Sequence, residues 1–91
     1  MKKNSDKVVW YVYMLRCADD TLYTGITTDL KRRVKEHNED DKLGAKYTKV
    51  RRPVELVYKK TFKSRSEATK CELSLKKLNK VKKIQLFARQ K

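Results

Sequence analysis

Residues 8–16 read Val-Val-Trp-Tyr-Val-Tyr-Met-Leu-Arg and are apolar or aromatic up to the final arginine. The chain as a whole is polar, with 40% of its 91 residues charged, so this run stands apart. A short, continuous apolar run is typical of a strand that is buried on both faces. We therefore expect residues 8–16 to form the central strand of a sheet that the remaining elements cover.

The elements around this strand follow from turn and capping signals. Residues 18–21 are typical of a turn, so residues 22–27 are expected to form a second strand in a hairpin with the first. Asp29 can cap a helix, and Ser64 with Glu67 has the spacing of a capping box. The other elements expected are a helix over residues 30–38, a loop over 39–52 ended by Pro53, a strand over 54–62, a helix from 64 to about 79 and a short helix over 82–89.

The order β-β-α-β-α, with a short C-terminal helix, predicts an α+β fold in which helices flank a three-stranded, largely antiparallel sheet. A chain of this length can bury one modest core, so residues 1–91 are expected to form a single domain. Cys17 and Cys71 are far apart in sequence and favour neither a metal knuckle nor a disulfide scaffold. The N-terminus does not have the pattern of a signal peptide, so we expect reduced thiols in a cytoplasmic protein.

The positive charge is distributed unevenly. Residues 1–30 contain four basic and four acidic side chains, so the net charge of +14 comes entirely from residues 31–91. Such an asymmetry forms a basic face, which attracts polyanions and nucleic acid above all. The alternatives are a well-solvated surface or an anionic membrane. The membrane is the weaker of the two, because no basic amphipathic helix here has a broad apolar face.

Two tyrosines and a glycine are predicted to meet on one face of the hairpin. If the turn closes around Asp19, Leu15 lies opposite Tyr23. By the same register Tyr13 lies opposite Gly25, and the two tyrosines become diagonal neighbours. Gly25 leaves a gap where a side chain would stand. The tyrosines are either part of a chemical site or an ordinary bridge between core and solvent.

The first predicted helix carries two further candidates. Leu30, Val34, Arg33 and His37 lie within one face of it, so Arg33 and His37 flank the apolar stripe. An arginine in this position can bind a phosphate with two hydrogen bonds. His37 is the only histidine in the chain, and a structural hydrogen bond is the more common role for such a residue.

The second long helix adds a carboxylate. Glu72 lies at one side of its inward face, where it can bind a divalent cation through hard oxygen ligands. By position alone an ion pair with Lys76, four residues later, is the more common arrangement. Asn79 lies two turns further on nearly the same line of the helix.

Several of these residues recur together as a known set of motifs. Tyr11-Val12-Tyr13 is followed by Tyr23-Thr24-Gly25, then by Asp29-Leu30-Lys31-Arg32-Arg33, and later by Ser66-Glu67-Ala68 leading to Glu72. This set resembles the GIY-YIG nuclease superfamily, and the resemblance covers roughly residues 9–80. The chain looks like a small stand-alone member, similar to the N-terminal nuclease domain of the excision-repair protein UvrC without its other domains.

The resemblance implies hydrolysis of phosphodiester bonds with one divalent cation, Mg²⁺ or Mn²⁺. It implies that Glu72 binds the metal and that Arg33 steadies the scissile phosphate. Tyr13 and Tyr23 would position or activate the attacking water, with Tyr13 the general base and its pKa depressed by a nearby cation. Gly25 would keep the pocket open, and His37 matches a histidine that some members have one turn after the arginine.

The sequence departs from the family pattern at three positions. The glycine that opens the first triplet is Tyr11, and the lysine that often follows the second triplet is Ile26. Asn79 is the only candidate for a late asparagine found in several members, and its spacing from Glu72 is short.

The leading hypothesis is a metal-dependent endonuclease that acts on DNA, in repair or recombination. One alternative is a non-catalytic DNA- or RNA-binding module of the same fold, and another is a small RNA-associated domain. In each case nucleic acid would contact the basic C-terminal third and a loop over 42–52, and Tyr47 would either stack on a base or pin its own loop. The residues expected to bind nucleic acid are Lys46, Tyr47, Lys49, Arg51 and Arg52.

Overall fold

The structure, a computed structural model, describes residues 8–89 and confirms the α+β fold. Its elements are β1 (Trp10–Arg16), β2 (Leu22–Thr27), α1 (Leu30–Glu39), α2 (Lys46–Lys49), β3 (Glu55–Phe62), α3 (Arg65–Lys76) and α4 (Lys80–Ala88). The strands form one antiparallel sheet in the order β2-β1-β3. The apolar run near the start of the sequence is therefore the central strand, as expected.

The β1–β2 hairpin has the register that side-chain alternation predicts. Tyr13 lies opposite Gly25, and Leu15 lies opposite Tyr23. The turn is closed by a 2.8 Å hydrogen bond from the Cys17 amide to the Thr21 carbonyl. This register matters because a slip of one residue between the two strands would put Tyr13 and Tyr23 on opposite faces of the sheet.

One face of the sheet packs against α3 and α4. Side chains from β1, β3 and both helices form the larger core cluster there, which comprises Val12, Met14, Tyr58, Ala68, Leu75 and Phe87. Helix α3 begins as expected, since the Ser64 hydroxyl accepts a 3.1 Å hydrogen bond from the Glu67 amide. Burial of this apolar surface is the main stabilising contribution on this side.

The other face of the sheet packs against α1. A smaller cluster of buried side chains lies there, made of Tyr13, Leu15, Cys17 and Val54, with Tyr23, Leu30 and Val34 packed against it. The Asp29 carboxylate caps α1 by accepting a 3.0 Å hydrogen bond from the Arg32 amide. This cap and the Leu30–Val34 stripe fix which side of α1 faces the tyrosines.

The boundary between the last two helices differs from the prediction. Helix α3 ends at Lys76 rather than near Asn79, and α4 begins at Lys80 rather than at residue 82. The reason is a second cap: the Asn79 side chain accepts a 2.9 Å hydrogen bond from the Lys82 amide and so starts a new helix. Asn79 is therefore the exposed N-cap residue of α4 and does not lie on the same helix as Glu72.

The segment expected to be a loop over residues 39–52 contains the short helix α2, so that prediction was wrong in part. The end of α1 is tied to the start of β3, because the Asn38 side-chain amide exchanges two hydrogen bonds with the backbone of Val54, at 3.0 and 2.7 Å. The chain between these anchors folds back over the tyrosine face. Within residues 8–89, no helix is both long and apolar enough to cross a membrane.

Candidate active site

Tyr13 lies across Gly25 of the neighbouring strand and is almost completely buried. A Cβ atom on Gly25 would lie 2.6 Å from the Tyr13 hydroxyl oxygen and 2.8 Å from its ring carbon Cζ. No side chain fits at that distance unless Tyr13 moves. The gap that the sequence predicts at Gly25 is thus filled by the Tyr13 phenol, and Gly25 determines where the hydroxyl lies.

His37 lies between the two tyrosines and is 0% exposed. Its Nε2 atom is 2.9 Å from the Tyr13 hydroxyl oxygen, and its Nδ1 atom is 2.8 Å from the Thr48 hydroxyl oxygen. The imidazole also packs edge-on against the rings of Tyr13 and Tyr23, at centroid distances of 5.9 and 5.1 Å. The structure therefore places His37 inside the tyrosine cluster with a buried partner at each ring nitrogen.

Tyr23 is a same-face neighbour of Tyr13, with ring centroids 6.4 Å apart. On its other side the ring of Tyr47 stacks on it, at 5.9 Å and 28°. The Arg51 guanidinium in turn lies 4.0 Å from the centre of the Tyr47 ring. Tyr47 thus anchors the α2 segment to the site, which is one of the two roles considered for it, and base stacking by Tyr47 stays a prediction.

Arg33 lies on α1 with its guanidinium beside the Tyr13 hydroxyl. Its Nη1 atom donates to the Glu36 carboxylate at 2.9 Å and to the Leu43 carbonyl. Burial opposes the charge of Arg33, but the contacts with Glu36 and Tyr13 outweigh burial and raise its pKa. Arg33 therefore presents a fixed positive charge next to the tyrosine hydroxyl, as a phosphate-binding residue would.

Glu72 approaches the same site from α3. Its side chain is 16% exposed, and the carboxylate forms the i, i+4 ion pair with Lys76 at 3.2 Å. The same carboxylate lies close enough to Tyr13 to contribute to the raised pKa of that phenol. The structure thus contains the ion pair considered as the alternative, and the Glu72 charge also acts on Tyr13.

A divalent cation is compatible with the donors at this site. Mg²⁺ is usually held by one or two carboxylates, with water and substrate phosphate oxygens as the other ligands. Glu72 offers one half-buried carboxylate of this kind near the Tyr13 hydroxyl. Among residues 8–89, no three His, Cys, Asp or Glu side chains cluster, so Glu72 would act without a protein cage.

Among the protein's own groups, burial dominates the electrostatics of the site, and the expected lowering of the Tyr13 pKa by a metal cation stays a prediction. Burial raises the pKa of Tyr13 to about 12, with Tyr23 adding to the effect and Arg33 opposing it. Burial also lowers the pKa of His37 to about 4, and Arg33 adds to that shift. In both groups desolvation disfavours the charged form and outweighs the neighbouring charges. Tyr13 and His37 are therefore both neutral near pH 7.

The residues expected to bind nucleic acid fall into two pairs around Tyr47. Arg51 forms an ion pair with Asp19 at 3.1 Å and donates to the Tyr47 carbonyl at 2.9 Å. Arg52 donates to the His37 carbonyl at 2.7 Å and also contacts residues 40 and 41. These arginines hold the segment onto the site, whereas Lys46 and Lys49 are exposed. Contact of all four residues with nucleic acid stays a prediction.

Thr48 is the residue of this site that sequence reasoning missed. It is 0% exposed, and its hydroxyl contacts His37. A threonine in a short polar stretch is normally read as surface, and one helical turn gives no periodic signal to contradict that reading. The only signal in the sequence for Thr48 was its position next to Tyr47, which was already a candidate residue.

The chain belongs to the GIY-YIG family, because the model of the GIY-YIG catalytic domain matches residues 9–85. The expected family is thus confirmed. GIY-YIG domains form a nuclease superfamily, and these nucleases act on nucleic acids.

The relatives of the chain are small proteins of similar length. A UPF0213 protein of Desulfotalea psychrophila is 51% identical over 90% of this chain and 74% of its own length. A UPF0213 protein of Natronomonas pharaonis is 53% identical over 86% of this chain and 89% of its own. The solution NMR structure of the protein EF2693 from E. faecalis is 42% identical, with a TM-score of 0.61 over 93% of this chain and 90% of that one.

A second solution NMR structure, of a UPF0213 protein from Bacillus halodurans, is 45% identical with a TM-score of 0.56. It covers 88% of this chain and 83% of the other. The chain is therefore similar to a group of small GIY-YIG proteins, and the names of these relatives state no activity.

Proposed function

We propose that this protein is a metal-dependent endonuclease that hydrolyses phosphodiester bonds in DNA. The observation that carries the proposal is that four types of side chain surround the Tyr13 hydroxyl. Tyr13 contacts His37 and lies beside Arg33 and Tyr23. The negative charge of Glu72 also acts on Tyr13. These elements come from three separate parts of the chain. An ordinary core does not need a buried phenol, imidazole, guanidinium and carboxylate together.

Each side chain has a role that its geometry supports. Arg33 would bind the non-bridging oxygens of the scissile phosphate and neutralise the charge that develops on them. Tyr13 and Tyr23 would orient the attacking water through their hydroxyls. In the reaction the water oxygen bonds to phosphorus, the bond to the leaving oxygen breaks with its electron pair staying on that oxygen, and the proton that the water loses ends on the leaving oxygen.

Glu72 would hold the cation, Mg²⁺ or Mn²⁺. When bound, such an ion lowers the pKa of coordinated water and stabilises negative charge on phosphate oxygens. Because the pKa of Tyr13 is about 12, the protein side chains alone would not activate the water, and the cation would supply that activation. A neutral phenol is a weak base, so it is suited to orient a water rather than to deprotonate one unaided.

The biological setting follows from the substrate class. The resemblance to an excision-repair nuclease favours a role in DNA repair or recombination. Cys17 and Cys71 are both free thiols, which favours a reducing compartment such as the cytoplasm. The exposed lysines of α2, Lys46 and Lys49, would contact the phosphate backbone beside the site.

A second candidate is a nucleic-acid-binding module of the same fold that does not cut. The observation in its favour is that the proposed functional groups are engaged within the protein. Arg33 is bound by Glu36 and the Leu43 carbonyl, and Glu72 is bound by Lys76. A catalytic protein would have to exchange some of these contacts when substrate and metal bind.

A cleavage assay distinguishes the two candidates. The purified protein is incubated with plasmid, single-stranded and branched DNA in Mg²⁺ or Mn²⁺, and with chelator as a blank. We expect cation-dependent cutting that Glu72→Gln reduces by roughly a hundredfold or more, the usual size of a lost transition-state contact. Glu67→Gln is the matched control, since Glu67 is an exposed residue of the same helix whose backbone amide alone serves the cap. Absence of cutting, or equal cutting by Glu72→Gln, would rule out the catalytic proposal.

A further inference from the structure

The short helix α2 reaches the tyrosine site with two consecutive side chains. Tyr47 stacks on Tyr23, and Thr48 contacts His37 from the side opposite Tyr13. Thr48 is fully buried although it lies in a polar segment. Burying a hydroxyl costs free energy unless it is hydrogen-bonded, and this one has two partners.

The two hydrogen bonds of Thr48 determine which nitrogen of His37 carries the proton. The hydroxyl has a single hydrogen, which it donates to the Ala45 carbonyl at 3.0 Å. At 2.8 Å from Nδ1 it must therefore accept, so Nδ1 carries the hydrogen. The Ala45 amide also donates toward Nδ1, but at 3.5 Å this contact is longer and weaker than the 2.8 Å contact with the Thr48 hydroxyl.

The tautomer of His37 in turn determines the direction of the Tyr13 hydroxyl. In a neutral imidazole with hydrogen on Nδ1, the Nε2 atom has only a lone pair. The Tyr13 hydroxyl oxygen, 2.9 Å away, must then donate its hydrogen to Nε2. Arg33, which has donors only, also lies beside this hydroxyl. The Tyr13 oxygen is left as an acceptor toward Arg33 and toward any water in the site.

We propose that Thr48 is a positioning residue that fixes His37 in the Nδ1–H tautomer and thereby holds the Tyr13 hydroxyl oxygen as a hydrogen-bond acceptor. With the other tautomer, Nε2 would donate to Tyr13, and the phenol would present its hydrogen to the water that it is meant to orient. The consequence for catalysis rests on the proposed nuclease function. The tautomer of His37 does not, since it follows from contacts within the protein.

The tautomer can be measured without substrate. The chain has one histidine, so ¹⁵N-labelled histidine gives one pair of ring nitrogen signals. Near pH 7 we expect Nδ1 to have the chemical shift of a protonated ring nitrogen and Nε2 that of an unprotonated one. Thr48→Val removes the acceptor of Nδ1–H at nearly constant shape, so the signals should move toward a mixture of tautomers. Thr48→Ser keeps the hydroxyl and should retain the wild-type pattern.

These measurements decide the proposal even if Thr48→Val fails to fold. A protonated Nε2 in the wild-type protein would overturn it at once, and so would a folded Thr48→Val with unchanged ring shifts. Loss of the Nδ1–H tautomer in a folded Thr48→Ser would overturn it as well, because the hydroxyl is still present there.

The catalytic half is tested separately, in the DNA cleavage assay. Thr48→Val should lower kcat about tenfold with little change in KM, the size of one misplaced hydrogen bond, and Thr48→Ser should restore most of it. A Thr48→Val protein with altered tautomer and unaltered kcat would overturn the link to catalysis. A wild-type protein that cuts no DNA would overturn the nuclease function, while the ring shifts would still decide the role of Thr48.

Discussion

Both faces of the sheet are formed by the same three strands, but one face packs against apolar side chains and the other against hydrogen-bonded polar ones. On the α3 and α4 face, Val12 and Met14 meet apolar side chains such as Phe87. On the α1 and α2 face, the alternate residues of the same strand meet a fully buried imidazole and hydroxyl, those of His37 and Thr48. Apolar packing is favourable wherever it is buried, whereas buried polar groups are tolerated only when each has a partner. The comparison indicates that the first face supplies most of the stability and that the second face carries the tyrosines and His37, to which α3 adds Glu72.

The largest effect should come from the apolar face. Phe87→Ala removes a buried ring from α4 and should lower the free energy of unfolding by about 3 kcal/mol or more. Urea denaturation measures this loss. Val81→Ala is the matched control on the same helix, because Val81 is 63% exposed and its loss should cost less than about 0.5 kcal/mol.

The same pair of variants tests whether the two faces act independently. Phe87 belongs to the larger core cluster and not to the cluster that contains Tyr13. The fraction of Phe87→Ala that remains folded should therefore cut DNA at the wild-type rate. A folded variant that has lost cleavage would mean that the faces are coupled and that the apolar side does more than stabilise.

The next effect is somewhat smaller and concerns the pH dependence of the polar face. Burial lowers the pKa of His37 to about 4 from an ordinary value of 6.5, with Arg33 and Arg52 adding to the shift and Glu36 opposing it. Between these values the unfolded chain binds a proton that the folded chain does not. The stabilising contribution of neutral His37 is therefore complete above pH 6.5 and is lost as the pH falls toward 4.

From pH 7 to pH 5 this group alone should lower the free energy of unfolding by about 2 kcal/mol. Urea denaturation at the two pH values checks this, with His37→Gln as the reference that lacks the titrating group. The wild-type protein should lose about 2 kcal/mol more than His37→Gln over that range. Equal losses would mean that His37 titrates normally, and the polar face would then be more open to water than its burial indicates.

The contrast between the faces also explains what the sequence could predict. The hairpin register and the meeting of Tyr13 with Tyr23 follow from strand alternation and one turn, which are local rules. The position of the caps at Asp29 and Ser64 is equally local. The apolar face could be predicted by the same reasoning, since the hydrophobic pattern of its strands and helices is visible in the sequence.

Only part of the polar face could be predicted from the sequence. Helix α2 is four residues long, too short for a periodic pattern, and its position depends on contacts of Thr48 and Arg52 with distant residues. Burial raises the pKa of Tyr13, and the depth of that burial is a property of the packed fold rather than of the motif. That a bound metal ion lowers this pKa stays a prediction. The split between α3 and α4 was missed because Asn79 was read as a helix residue instead of a cap.

The smallest effect would sharpen the comparison at the protein surface. Lys49 is an exposed residue of α2 on the tyrosine side, and Lys77 is the exposed C-cap residue of α3, the helix that packs on the other face of the sheet. If nucleic acid lies over the tyrosine face, Lys49→Gln removes one phosphate contact and Lys77→Gln removes none. Binding of a DNA duplex, measured over a range of salt concentrations, should then show a log–log slope shallower by about one for Lys49→Gln only. Equal slopes for the two variants would mean that the excess positive charge attracts DNA without orienting it. In that case the site geometry, rather than the charged surface, would have to select the bond that is cut.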